Sequence, residues 1–375
     1  MNILFLDSID ETTYGGMEEW DRLVASGLLA RGHRVTIAGR RDSEFLRRIA
    51  ASNSQLEQLP LRISGDFNPA TITALHNFIE ERRVDAVIVN FNKDLRLGGL
   101  AARWSGDTRV IWSVGLDITR DSIVHRWLTP KLADAVIVPS ESLKTQITRH
   151  GYIDSDSVAV IPIGIPDTDE LAGDAAARTN IRSKYNLPND AIIAVTSGRF
   201  IDQKGHRYLL EAIPELVEAC PPLRFLWLGS GPLEESLRER IAQLGVNDHV
   251  LFAGMLDSVE RHLAAADLMI HPSVEEPFGI AILEGMRAGL PIVASDVGGI
   301  PEVVDDSCAR LVPSRDSHSL AKEVVTLASN AELRRSMGSN ARLRYLTHFS
   351  VANMIDRVED YLTNVIQRER HSGKA

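Results

Sequence analysis

Arg199 and Lys204 follow an apolar run (AIIAVTS, residues 191–197) and stand beside two glycines, Gly198 and Gly205. An always-ionised guanidinium, an ammonium and a helix N-terminus converging on one spot suit a diphosphate, because bidentate donors, point charge and dipole all favour it. A second glycine turn, Gly229-Ser230-Gly231-Pro232, follows the run LRFLWL. Its glycines let backbone amides approach a ligand, and Pro232 fits the first turn of a helix. The longest signal is Glu275-Glu276-Pro277-Phe278-Gly279-Ile280-Ala281-Ile282-Leu283-Glu284-Gly285. Gly279 is expected to open a helix, aiming the amides of Gly279, Ile280 and Ala281 at an anion. Glu284 then lies on an otherwise apolar face (Ile280, Ile282, Leu283, Met286), where a carboxylate is costly to bury without donors. Two ribose hydroxyls would be suitable donors. Gly15-Gly16-Met17-Glu18, after the first strand, would bring backbone to the far end of the same ligand. Each feature alone has a plainer alternative: surface cations near a turn, tight strand-to-helix turns, or a carboxylate tied to internal amides.

These residues need elements that hold them at strand ends. Asn2–Ile9, His33–Gly39, Asp85–Asn90, Arg109–Ser113, Asp134–Pro139 and Ser157–Ile163 read as buried strands alternating with helix-period stretches. Helices are expected around 69–83, 95–104, 122–133 and 141–150. Near-continuously apolar strands alternating with helices predict a parallel sheet covered on both faces. The segment from Pro166 to about Thr179 reads as a linker, after which strands at 191–197, 223–228, 249–253, 267–271, 291–295 and 309–312 repeat the pattern. The expectation is α/β: two Rossmann-like doubly wound domains facing across a cleft. Residues 1–165 form the first domain, 166–350 the second, and 351–375 a C-terminal helix returning to the first.

Composition narrows the classes. The chain has 375 residues, 44% hydrophobic and 25% charged, which is ordinary for a globular protein and excludes disorder or low complexity as overall descriptions. Its net charge of −10 argues against bulk nucleic-acid binding. Cys220 and Cys308 cannot make a disulfide framework, no apolar run reaches the length of a bilayer span, and MNILFLDSID lacks a basic n-region. The expected location is cytoplasmic. Six arginines (31, 34, 40, 41, 47, 48) could add peripheral contact with anionic lipid at the inner face of the membrane, or form a solvated rim. No metal is expected. Asp154-Ser155-Asp156 and Asp167-Thr168-Asp169 read as turn aspartates, and His33, His76, His125, His206 and His249 lack metal-ligand spacing.

Taken together, the chain resembles the family 4 (group 1) retaining glycosyltransferases, which have the GT-B fold. The resemblance rests on the double glycine before Glu18, Gly198-Arg199…Lys204-Gly205, Gly229-Ser230-Gly231-Pro232, Phe252-Ala253-Gly254 and Glu276-x7-Glu284. His271-Pro272-Ser273 and the run from Ala288 through Gly298-Gly299-Ile300-Pro301-Glu302 add to it. It implies transfer of a sugar from a UDP-, GDP- or ADP-linked donor to a glycan or lipid-linked acceptor, with retention and no metal cofactor. The stretch Asp66-Phe67-Asn68-Pro69, with Asn90-Phe91-Asn92-Lys93-Asp94-Leu95-Arg96-Leu97, also looks like glycosyltransferases of cell-surface polysaccharide or lipopolysaccharide assembly. Arg199 and Lys204 would neutralise the diphosphate, Glu284 would bind ribose, and Glu276 would contact the transferred sugar near the amides of Phe278, Gly279 and Ile280. Gly16 would approach the diphosphate from the first domain. Many members carry a His where this chain has Val114, so a nucleotide-sugar-binding protein without transfer activity stays open, as does a GT-B-fold epimerase. Asp117 and Asn92-Lys93-Asp94 are candidate acceptor or sugar contacts.

Overall fold

A computed structural model describes residues 1–9, 15–117, 123–168 and 175–367. The chain divides into two compact units: Met1–Gly164 with Val351–Ala375, and Ile165–Ser350.

The first unit is built on strands β1 (Asn2–Asp7), β2 (Arg34–Arg40), β3 (Glu57–Leu61), β4 (Ala86–Val89), β5 (Arg109–Ser113), β6 (Ala135–Val138) and β7 (Val158–Val160). They form one parallel sheet in the order β3-β2-β1-β4-β5-β6-β7. Runs such as AVIV in β4 and β6 are buried throughout because both faces are covered. One face packs around Phe5, Ile37 and Ile88, the other around Leu4, Val87 and Trp112. Helix Val351–Gln367 contributes Met354, Ile355, Val358, Leu362 and Val365 to the first of these cores. Gly27 admits it: a Cβ there would lie 2.6 Å from Ile355.

Two elements here escape the sequence pattern. β3 carries Pro60 and is an edge strand, the place where a residue without an amide donor is tolerated. Helix Glu44–Ser52 lies among the arginines, capped by Ser43, whose hydroxyl accepts from the Leu46 amide. The helix expected at 122–133 is interrupted: Ile123–Trp127 is helical, and Pro130 begins a separate single turn. The arginine cluster is partly neutralised from within. Arg31 pairs with Asp356 and Glu359, and Arg47 and Arg48 pair with Glu44.

The second unit repeats the plan with β8 (Ile192–Ser197), β9 (Leu223–Leu228), β10 (Val250–Gly254), β11 (Leu268–His271), β12 (Ile292–Ser295) and β13 (Ala309–Val312). All pairings are parallel, in the order β10-β9-β8-β11-β12-β13. In each sheet the order reverses once, between β1 and β4 and between β8 and β11. Ligands of open parallel sheets bind outside the carboxyl ends of strands at that reversal. Among the described residues, no helix is long and apolar enough to cross a membrane.

Candidate functional site

The reversal in the second unit places the ends of β8 and β11 side by side, and the expected site residues gather there. β8 ends at Ser197 and runs into Gly198 and Arg199; β11 ends at His271 and leads to Glu276. The loops lock together backbone to backbone. A Cβ on Gly229 would sit 2.1 Å from the Gly198 carbonyl oxygen, and one on Gly231 2.5 Å from that of Phe200. A Cβ on Gly205 would sit 1.9 Å from the Pro272 carbonyl oxygen, and one on Gly298 1.9 Å from that of Glu276. Gly205 also has φ +65, the left-handed region open to glycine. Glycine at these positions therefore welds the turns after β8, β9, β11 and β12 into one rigid floor.

Charge concentrates on that floor. Lys204 Nζ donates to Glu276 Oε2 at 2.7 Å, and His271 Nε2 lies 2.8 Å from the same oxygen. Ser273 Oγ is 3.0 Å from His271 Nε2. Burial by itself would raise the Glu276 carboxyl, but hydrogen bonding and charge from His271 and Lys204 outweigh it and hold the pKa near 2. Glu276 is therefore ionised and fixed in place. Arg199 is exposed and has no carboxylate partner among the described residues, leaving its guanidinium available to an anion. His206 opens helix His206–Ala219 but packs edge-on against Phe200 and Trp227, and burial followed by the charge of His271 pulls it down to about 3.

Helix Ile280–Arg287 starts from Gly279, at φ +110. Phe278 is buried edge-on against Phe349, so its side chain serves packing. Ile280 and Ala281 stay partly exposed at the helix start. Glu284, one turn on, receives no hydrogen bond from the described residues. Burial raises its pKa to about 7, Arg287 opposing and Glu260 adding to the rise. A carboxylate held without internal donors, on the helix whose N-terminus faces the Glu276 turn, is what two hydroxyls of a ligand would satisfy.

The expected glycines of the first unit stand at its own reversal. Gly15 donates its amide to Glu18 Oε2 at 2.8 Å, and Gly16 begins helix Gly16–Ala30, exposed. Beneath them Asp7, Glu18, Asp21 and Asp94 are all buried. Burial, then the neighbouring carboxylates, raises Asp7 and Asp21; burial raises Asp94 to about 7. Asp94, expected at an acceptor, is instead taken by the amides of Ser8 and Phe91, at 2.9 and 3.2 Å. Asp117 pairs with Arg149. Val114 is buried, and Gly115 beside it makes room for Met17, whose sulfur would lie 2.2 Å from a Cβ. Of the Asp-x-Asp triplets, Asp154 caps a turn by accepting from the Asp156 amide, and Asp167 pairs with Arg342; Asp169 lies outside the described residues.

Two sequence profiles match this chain. One described as "Glycosyl transferases group 1" spans residues 177–344, and one described as "Glycosyltransferase Family 4" spans 14–169. The chain belongs to the group 1, family 4 glycosyltransferases. An uncharacterised glycosyltransferase of Methanocaldococcus jannaschii is 31% identical over 223 residues, covering 58% of this chain and 57% of that one. The GDP-mannose-dependent alpha-(1-6)-phosphatidylinositol monomannoside mannosyltransferase of Mycolicibacterium smegmatis is 27% identical over 338 residues, 84% and 86% of the two chains. The chain thus spans just over half of the first relative and most of the second.

Solved structures share the fold of this chain. One from Rickettsia africae superposes with a TM-score of 0.86 at 20% identity, covering 98% of this chain and 99% of that one. Anabaena HepE, solved in complex with UDP, gives 0.84 at 21% identity, covering 97% and 100%. The fold is two parallel-sheet Rossmann-like domains of GT-B type. His271, named above only within His271-Pro272-Ser273, belongs to the site by its contact with Glu276. The signal was available, since it terminates β11 directly beside the chemistry, five residues before Glu276.

Proposed function

We propose that this glycosyltransferase moves a sugar, with retention, from a nucleoside-diphosphate donor to a glycan or lipid-linked acceptor of cell-surface polysaccharide or lipopolysaccharide assembly. The observation that carries the reading is the buried, ionised Glu276 held between Lys204 and His271 at the foot of helix Ile280–Arg287. Arg199, Lys204 and the amides at Gly279 and Ile280 would meet the diphosphate, Glu284 the ribose, and Glu276 the sugar hydroxyls. In the reaction the bond from anomeric carbon to diphosphate oxygen breaks. The acceptor oxygen bonds to that carbon from the same face, and its proton passes to the departing phosphate. Negative charge grows on the diphosphate, and two fixed cations stabilise it with no metal required. The relative named as GDP-mannose-dependent and the neighbour solved with UDP support a nucleotide-sugar donor.

The test is a proton NMR time course with UDP-, GDP- and ADP-sugars and a mixed acceptor set. It should give one nucleoside diphosphate and a product with the donor's anomeric configuration. Arg199→Ala should lower kcat by on the order of 10²–10³. An inverted product, or turnover indifferent to Arg199, would overturn the reading.

A further inference from the structure

An open cleft of the second unit lies at the opposite edge of its sheet from Glu276. It has a volume of about 780 Å³ and sits against Asp267 and Pro291, the residues that immediately precede β11 and β12. Small residues make its floor: Ala264, Ala266, Ala288 and Gly289. Arg178, Arg334, Arg335 and Arg342 line it, with Asp267 as the one carboxylate among the described residues. That aspartate is already used, by Arg178 at 2.6 Å and by the Ile193 amide at 2.8 Å. Arg342 is tied to Asp167.

Arg334 and Arg335 meet no carboxylate among the described residues. Arg334 donates to the carbonyls of Leu327 and Ala328, and Arg335 Nε to that of Ala331. Both keep further N–H donors. Helix Ala331–His348 presents Arg335, Ser339 and Arg342 at i, i+4 and i+7, one face turned to the cleft. Close approach at its back is set by Gly338, where a Cβ would lie 2.1 Å from the Gly289 carbonyl oxygen.

We propose that this cleft is a second ligand site, for a small molecule bearing one or two phosphate groups. The volume is that of a small-molecule pocket, and planar guanidinium forks with a hydroxyl between them match phosphate oxygens in geometry as well as charge. The floor of small residues leaves space for the rest of such a molecule.

Inorganic pyrophosphate is the probe, titrated calorimetrically at constant ionic strength with chloride as control. Four proteins separate this cleft from the site at Arg199: wild type, Arg199→Ala, Arg335→Glu and Ser339→Glu. Arg335 and Ser339 are exposed, so both variants are expected to fold, and far-UV circular dichroism checks it. Saturable binding should persist in Arg199→Ala and weaken roughly ten- to a hundredfold in Arg335→Glu and in Ser339→Glu. Binding lost in Arg199→Ala and unchanged in the two cleft variants would overturn the proposal, as would no saturable binding by Arg199→Ala.

Discussion

Replacing Glu284 by Gln should move two properties in opposite directions. In the free protein the carboxyl keeps its proton up to about pH 7, whereas the unfolded chain releases it near 4.5. Between those values the native state binds more protons, so stability falls as pH rises through the window and stays lower above it. The interval is 2.5 units, which at about 1.4 kcal/mol per unit would reach about 3 kcal/mol. Glu284 retains partial exposure, so solvent screening reduces this to about 2 kcal/mol. Gln does not titrate. Glu284→Gln should therefore match wild type at pH 4.5 and exceed it by about 2 kcal/mol at pH 8, read by urea unfolding. Nucleoside-diphosphate binding should go the other way, because ribose hydroxyls are offered the ionised form. With a pKa near 7 the ionised fraction rises about tenfold from pH 6 to pH 8, so wild-type affinity should gain up to about tenfold beyond any gain in the variant. Calorimetric titration with UDP and GDP reads this, and pyrophosphate, lacking ribose, should show no such difference. Parallel pH profiles for both proteins in both assays would refute the reasoning.

Two further outcomes follow from the same floor. Glu276 has its pKa lowered to about 2, so the stabilisation it gives is present above about 4.5 and lost as pH falls through 2. The gap between wild type and Glu276→Gln should then be about 2 kcal/mol at pH 6 and close in acid; a gap constant with pH would count against the ion pair with Lys204. Gly205→Ala adds a methyl 1.9 Å from the Pro272 carbonyl oxygen, whereas Gly32→Ala, also at positive φ, meets nothing within 4 Å. The first should cost at least ~3 kcal/mol in thermal or urea unfolding and the second about 1 kcal/mol; equal costs would mean that the loops are not locked.

Much of this was legible because strand ends announce themselves: an apolar run, then glycine, then a charge. Gly198-Arg199 after β8 follows that rule in full, Gly229-Ser230-Gly231 after β9 carries the glycines and the turn after β11 the charge of Glu276, and the structure places all three at one edge of one sheet. Pairings between distant residues were not legible. Lys204 and Glu276 lie 72 residues apart, and Arg31 lies over 300 residues from the Asp356 and Glu359 that neutralise it, so composition made an arginine patch where the fold makes ion pairs. Asp94 looked like a free carboxylate after a strand because local sequence does not show the Ser8 amide that caps it from 86 residues away. β3 was hidden by Pro60, which reads as a strand breaker unless the strand is known to be an edge.

The central claim, a nucleoside-diphosphate site built on Arg199, Lys204 and Glu284, is tested most directly by thermal unfolding with UDP, GDP, ADP, CMP and NAD. A ligand at about 100 times its dissociation constant adds about 2.7 kcal/mol, which for units of this size raises the midpoint by several degrees. One nucleoside diphosphate should give that shift to wild type and lose it with Arg199→Ala. No shift from any diphosphate, a shift from NAD alone, or a shift untouched by Arg199→Ala would contradict the account.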